Sequence, residues 1–330
     1  MKINYLIISL IILLFSCSTE EPKKEVKKEI KPTVTYIKAP EFNSDSAYQY
    51  VQKQVDFGYR IPNTTEHVAC GDWLVSELNK YGATVTEQTF KKKAYDLNVL
   101  SLRNIIGSFN PEAKKRILLA AHWDTRHIAD RDLKNNEKPF DGANDGGSGV
   151  GVLLEIARQI SISKIEVGVD IIFFDGEDYG QPEGSKFPQM QDSWCFGSQY
   201  WSVNKHTSNY KAEFGILLDM VGAPGARFAK EGISRYYAGI ETNHIWNTAQ
   251  RVGFGNYFWN HNSPEITDDH TYVNQLAKIP MVDIIEYNSN PTKGGYFGEY
   301  HHTHNDNMDV IDKSTLKAVG QTVMEVIYNE

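Results

Sequence analysis

The chain has 330 residues, 41% hydrophobic and 23% charged, which supplies a large buried core and excludes a disordered chain. With 34 Lys and Arg facing 42 Asp and Glu, the balance is mildly acidic and gives no reason to expect a nucleic-acid partner. Three cysteines are too few for a disulfide framework, and Cys70 and Cys195 are expected as buried free thiols.

Met1 to Ser16 joins a basic start at Lys2 to an apolar run from Leu6 to Phe15, too short to span a bilayer and suited to a secretory signal. Leu14-Phe15-Ser16-Cys17 resembles a bacterial lipobox. Residues 1–16 are therefore read as a lipoprotein signal peptide and Cys17 as a lipidated N-terminus; a cleaved soluble secretory protein is the alternative. The chain would be exported and anchored to a bacterial membrane, facing the periplasm or the cell surface, with no other contact with the membrane. Lys23 to Lys31 mixes Lys and Glu with little to bury, so residues 17–38 are read as a flexible tether and 39–330 as one domain.

Apolar residues recur at helical spacing over Asp45–Gly58 and Thr65–Leu78, and Gly82 stands where a helix would stop. Alternation over Thr84–Phe90 and the run Leu97–Ile106 predict antiparallel strands at a sheet edge. Ile117–Ala121 is the first strand that reads as buried on both faces. Strand and helix then alternate: helix Gly149–Ile160, strand Val169–Phe174, helix Ser193–Val203, strand Phe214–Leu218, helix His244–Val252, strand Ile279–Ile285 and helix Ser314–Tyr328. That alternation predicts a single-domain α/β fold of three layers, αβα. Its central sheet is mixed but mostly parallel, with helices on both faces and a site at the carboxyl ends of the strands.

Those strand ends carry a recurring chemistry. His122 and Asp124 follow the first buried strand, Asp145 precedes a helix, Asp175, Glu177 and Asp178 follow the second strand, Asp219 ends the third, and His302 lies late in the chain. Alone, His122 fits a satisfied core histidine, Asp145 a helix N-cap and Asp219 a loop carboxylate. Together, imidazole nitrogens and carboxylate oxygens are what zinc accepts. No HExxH is present, so the zincin layout is excluded.

The motifs HWDT, GANDGGSG, FFDGED, LLDMVGAP, ITDDH and HTHNDN, with DSWCFGSQYW between them, resemble those of the glutaminyl-peptide cyclotransferases, whose fold is shared with the zinc aminopeptidases. The resemblance runs from about Gly58 to the C-terminus. It implies one zinc per chain held by Asp145, Asp178 and His302, with Glu177 as general acid/base and Asp219 and Asp268 as a hydrogen-bonded carboxylate pair beside the substrate. It also implies a cis peptide between Asp145 and Gly146. The implied reaction closes N-terminal glutamine of peptides or proteins to pyroglutamate and releases ammonia. Trp194, Phe297 and Tyr300 are candidate walls for the glutamine pocket. The family usually has Trp immediately before the metal-binding His, where this chain has His301, which makes the pocket wall and the choice among His301, His302 and His304 ambiguous; the HTxxDN frame favours His302. A zinc aminopeptidase of the same fold is the alternative, with His122 and Asp219 recruited to a second ion. A non-catalytic peptide binder is the third reading. The oligomeric state is open, with a monomer favoured.

Overall fold

Strands that are apolar at nearly every position must be covered on both faces. The computed structural model, which describes residues 36–290 and 295–330, covers them with helices. The expected signal segment, Cys17 and the tether up to residue 35 lie outside the described residues. In chain order come α1 (Ser44–Asp56), α2 (Thr65–Lys80), β1 (Thr84–Lys93), β2 (Val99–Phe109), β3 (Arg116–His122), α3 (Gly147–Ile162), β4 (Gly168–Phe174), α4 (Phe196–Val203) and β5 (Phe214–Asp219). Then follow β6 (Phe228–Lys230), α5 (Gly232–Tyr237), α6 (Gly239–Arg251), β7 (Phe258–Asn262), α7 (Asp269–Tyr272) continuing into a π-helical turn (Val273–Ala277), β8 (Met281–Ile285) and α8 (Lys313–Ile327).

The main sheet has the order β1-β2-β4-β3-β5-β8. Strands β4, β3, β5 and β8 run parallel, while β2 is antiparallel to β4 and β1 to β2 at the edge. Because side chains alternate across a strand, each buried run feeds two cores at once. Ile117, Leu119, Ala121, Ile171, Phe173, Ile216 and Leu218 pack with α3 and α8 through Val150, Leu154, Leu316 and Val323. Leu118, Ala120, Ile172, Phe174 and Leu217 point the other way, onto Trp201 of α4 and Val273 and Ala277 of the π-helical turn. The three layers and the mixed, mostly parallel sheet are those the sequence predicts.

Several boundaries differ for local reasons. The helix expected from Ser193 starts at Phe196, because Cys195 sits in the left-handed region at φ 58°. The last parallel strand starts at Met281, after Pro280, which has no N–H for a ladder. Helix α6 begins at Gly239, five residues ahead of the periodic segment. Asp170, inside an otherwise apolar strand, is buried; Arg116 neutralises it through Nε and Nη2 at 2.7 Å each, and the Tyr210 hydroxyl donates to it at 2.7 Å. Cys70 and Cys195 are both free and buried.

The two ends of the domain meet. Ile37 N and O bond the Asn329 side chain at 2.8 Å each, Phe42 N donates to Gln321 Oε1 at 2.8 Å, and Lys115 Nζ bonds Glu330 O at 2.8 Å.

Helix α3 approaches the sheet without side-chain spacing at Gly149, where a Cβ would lie 2.2 Å from Leu218 O and 2.9 Å from the Ala121 Cβ. Gly149→Ala is expected to lower the unfolding free energy in urea by about 2 kcal/mol. Gly239→Ala, with nothing within 4 Å of the added carbon, is expected to stay within about 1 kcal/mol of the parent.

Candidate active site

The parallel strands all deliver their carboxyl ends to one edge, and the chain turns sharply there. After β4 it bends at Gly176 (φ 70°), which sends Asp175 and the pair Glu177-Asp178 in different directions. Asp175 points away from the cavity: its carboxylate takes His67 Nε2 at 2.9 Å and Arg103 N at 2.6 Å, and His67 stacks on Trp123. The acidic cluster read from the sequence is thus split, with Asp175 serving the core and its two neighbours the site.

Two further carboxylates hold the site backbone. Asp124 accepts the amides of Glu177 and Asp178 at 3.1 and 3.2 Å. Asp306 accepts those of Asn144 and Asp145 at 2.7 and 3.0 Å. Arg126, fully buried, forms a two-pronged pair with Asp130 at 2.8 Å and donates to Asp178 O at 3.0 Å. Asp130 in turn meets His302 Nδ1 at 3.0 Å, which leaves His302 Nε2 facing inward, 3.6 Å from Asp145 Oδ2 and 3.4 Å from Asp178 Oδ1.

The predicted ligand set Asp145, Asp178 and His302 therefore gathers around one imidazole nitrogen. Both oxygens of Asp178 are buried without a hydrogen-bond donor. A carboxylate left in that state is costly unless a cation meets it, and one imidazole with two carboxylates suits zinc. The residues fit the metal. His301 also comes within reach, with Nε2 3.9 Å from Asp145 Oδ2, and its donor atom lies within 4.8 Å of those of Asp145 and His302. Burial pushes the Asp178 carboxyl up to about 6, helped by the Asp145 charge. Burial opposes the charge on His302, yet Asp178 and Asp130 raise it to about 9. His301 is driven well below the usual imidazole range by burial and then by His302, so it stays neutral.

Asp145 belongs to a second donor set as well. His122 Nε2 lies 3.0 Å from Asp145 Oδ1 and 3.3 Å from Asp219 Oδ1, all three atoms within 4.8 Å of one another. Asp219 was expected to turn toward Asp268 at hydrogen-bond distance. It faces His122, the nearest opposite charge, while Asp268 Oδ1 accepts from Asp269 N at 2.5 Å and Oδ2 has no partner. The two carboxylates still act on each other: burial, then the Asp219 charge, raises Asp268 to about 7. The Asp145–Gly146 bond is trans, not cis as the resemblance implies; Gly146 absorbs the turn itself at φ 73°.

These residues enclose a cavity of about 220 Å³ lined by Asp145, Glu177, Asp219, Asp268, His301 and His302, with Trp194, Met220, Ile266, Ile285 and Phe297 as its apolar walls. Trp194 lies parallel to His302 at 6.0 Å and carries Arg126 on its face at 4.5 Å. Phe297 meets His301 edge-on at 4.7 Å. Tyr300 is absent from the lining, because its hydroxyl is engaged by Asn144 Nδ2 at 2.7 Å and by Glu286. Glu177, whose donor atom lies within 4.8 Å of those of Cys195 and Asp268, is raised well above the usual carboxylate range by burial and by the Asp268 and Asp178 charges.

Residues 104–327 match the model of peptidase family M28. The chain belongs to that family. Among solved structures, a Zn-dependent exopeptidase from Parabacteroides distasonis is 53% identical with a TM-score of 0.86, covering 88% of this chain and 100% of that one. The Bacteroides thetaiotaomicron glutaminyl cyclase bound to N-acetylhistamine is also 53% identical, with a TM-score of 0.85 over 88% of this chain and 99% of that one. The glutaminyl-peptide cyclotransferase of Bos taurus is 26% identical over 242 residues, 66% of this chain and 63% of that protein. The chain thus spans under two thirds of that relative's length.

One residue that the sequence did not mark organises the loop carrying Asp268. Glu231, buried between β6 and α5, accepts Ile233 N, Ser234 N and Ile266 N at 2.8 Å each and meets His270 Nε2 at 2.9 Å. Burial would raise its carboxyl, but His270 and the amides of Ser234 and Ile233 outweigh that and bring it down to about 2. A carboxyl lowered from 4.5 contributes stability that is fully present above that value and is lost as pH falls toward about 2. Glu231→Gln should therefore be about 2 kcal/mol less stable than the parent at pH 7 in urea unfolding, with the gap closing between pH 4.5 and 2.

Proposed function

We propose that the chain cyclises N-terminal glutamine of peptides and proteins to pyroglutamate with release of ammonia. The observation that carries this reading is Glu177: a half-buried carboxyl, held off the ligand set, that opens into a small cavity with apolar walls. The M28 assignment and the likeness to glutaminyl cyclases support it at the level of the family. The reaction asks for little more. Glutamine carries its own nucleophile a few bonds from its γ-carboxamide, so orientation in a snug cavity supplies much of the rate and no water need be activated. Trp194 and Phe297 would fold the side chain, while Asp268 and Asp219 would hold the α-amine. Glu177 would take a proton from the amine as its nitrogen bonds to the carboxamide carbon Cδ, then give it to the amide nitrogen, which leaves as ammonia when its bond to Cδ breaks. One zinc held by Asp145, Asp178 and His302 would supply Lewis-acid polarisation of the γ-carbonyl.

A second reading is a two-metal aminopeptidase. It is favoured by the His122, Asp145 and Asp219 donors lying within 4.8 Å, and by the near relative described as an exopeptidase. A Gln-initiated and a Leu-initiated peptide separate the two: ammonia from the first with one zinc per chain supports cyclisation, whereas free Leu with two metals supports the peptidase. In the cyclase reading, Glu177→Gln should lower kcat at least about 100-fold with zinc content unchanged. Activity within a few-fold of the parent would retire the acid/base role.

We also propose that the chain is exported and anchored through Cys17, on the strength of the apolar run and the lipobox-like order at residues 14–17. Cys17→Ala should move the protein from the membrane fraction to the soluble fraction of its host; retention in the membrane would count against the anchor.

A further inference from the structure

Two short stretches of chain are stitched together beside the cavity. Cys195 N donates to Glu177 O at 3.0 Å and Phe196 N to Gly176 O at 3.0 Å, so the start of α4 lies along the turn after β4. Gly197 allows this approach, since a Cβ there would lie 2.6 Å from Asp175 N. At the junction Cys195 takes a left-handed backbone, φ 58°, uncommon for a residue with a side chain. The consequence is that its thiol, wholly buried, points at the Glu177 carboxylate with Sγ 3.3 Å from Oε1. Among the described residues this is the hydrogen bond that the Glu177 side chain makes.

We propose that Cys195 is a positioning residue for Glu177, its S–H aiming the carboxylate that moves protons in the cyclisation. The inference rests on the reading given above. Burial, with the Glu177 charge added, drives the thiol well above its usual range, so it keeps the proton it donates. A thiol is a weak donor, which lets it fix the direction of Oε1 without competing strongly for the carboxylate. The C–O bond of serine is shorter than C–S, so a serine at this place keeps a donor aimed at the same oxygen on a slightly shorter arm and restores the contact in part. Cys195 touches no substrate atom in this account; it acts through Glu177.

The test uses the full domain with a Gln-initiated peptide, and reads kcat, KM, zinc content and melting temperature for the parent, Cys195→Ala and Cys195→Ser. Cys195→Ala should lose about tenfold in kcat with KM within about twofold and zinc content unchanged. Cys195→Ser should recover at least about threefold of that loss, a rescue that packing alone would not give. Should Cys195→Ala fail to fold, Cys195→Gly, which suits the left-handed backbone and also lacks a donor, takes its place and should show the same loss of kcat. Ala or Gly turnover within twofold of the parent, or Ser no better than the donor-free variant, overturns the inference while the cyclase reading stands. A parent protein that releases no ammonia overturns the cyclase reading, and this inference falls with it.

Discussion

Peptide amides aimed at buried carboxylates set the position of nearly everything at the carboxyl edge of this sheet. Asp124 takes the amides of Glu177 and Asp178, and Asp306 those of Asn144 and Asp145, in each case at two successive residues. A single acceptor bonded to two neighbouring N–H groups fixes a turn more firmly than packing can, because displacement breaks both bonds and leaves the charge buried. The two candidate ligand carboxylates are thereby held before any metal arrives. Their imidazole partner is held by a third carboxylate, Asp130, itself gripped by Arg126.

This scheme concentrates negative charge to a degree that only local compensation can sustain. Glu177, Asp178, Asp219, Asp268 and Asp269 stand near one another in the same interior, and burial raises four of them. His122, His302 and Arg126 supply positive charge, and Asp178 keeps two oxygens that no protein donor satisfies. The fold tolerates this because the scaffold beneath is conventional: strands with an apolar residue on each face, α3 and α8 on one side, α4 and the π-helical turn on the other. Unsatisfied carboxyl oxygens sit on Asp178 and Asp268 in the loops above, and also on Asp269 of α7 and Asp283 inside β8.

That division explains what the sequence made legible. Ile117–Ala121 and Phe214–Leu218 announce themselves because a doubly covered strand has no polar residue to hide, and the strand ends that follow carried His122, Asp145, Glu177, Asp178 and Asp219 to the same edge as expected. The pieces that escaped depend on partners far away in sequence. Strands β6 and β7 and helix α7 are too short for periodicity to register. Glu231 reads as an ordinary loop residue until Ile266 and His270 fold onto it. Asp175 and Asp178 are indistinguishable in the DGED string, and only the bend at Gly176 sends one to His67 and the other to His302. Tyr300 looked like a pocket aromatic, but the pull of Asn144 and Glu286 on its hydroxyl turns it out of the wall. The HWDT and HTHNDN motifs did contain Asp124 and Asp306, with nothing in spacing to say that their acceptors would serve backbone.

The meeting of the two chain ends beside Lys115 bears on how this domain can be handled. Lys115 directly precedes β3, whose seven residues rise about 20 Å to His122 at the cavity edge. Ile37 and Glu330 are both tied down at the low end of that climb, by Asn329 and Lys115. A fluorophore, an affinity handle or a solid support coupled at Ile37 or Glu330 therefore attaches at the amino end of β3, a strand's length away from the cavity.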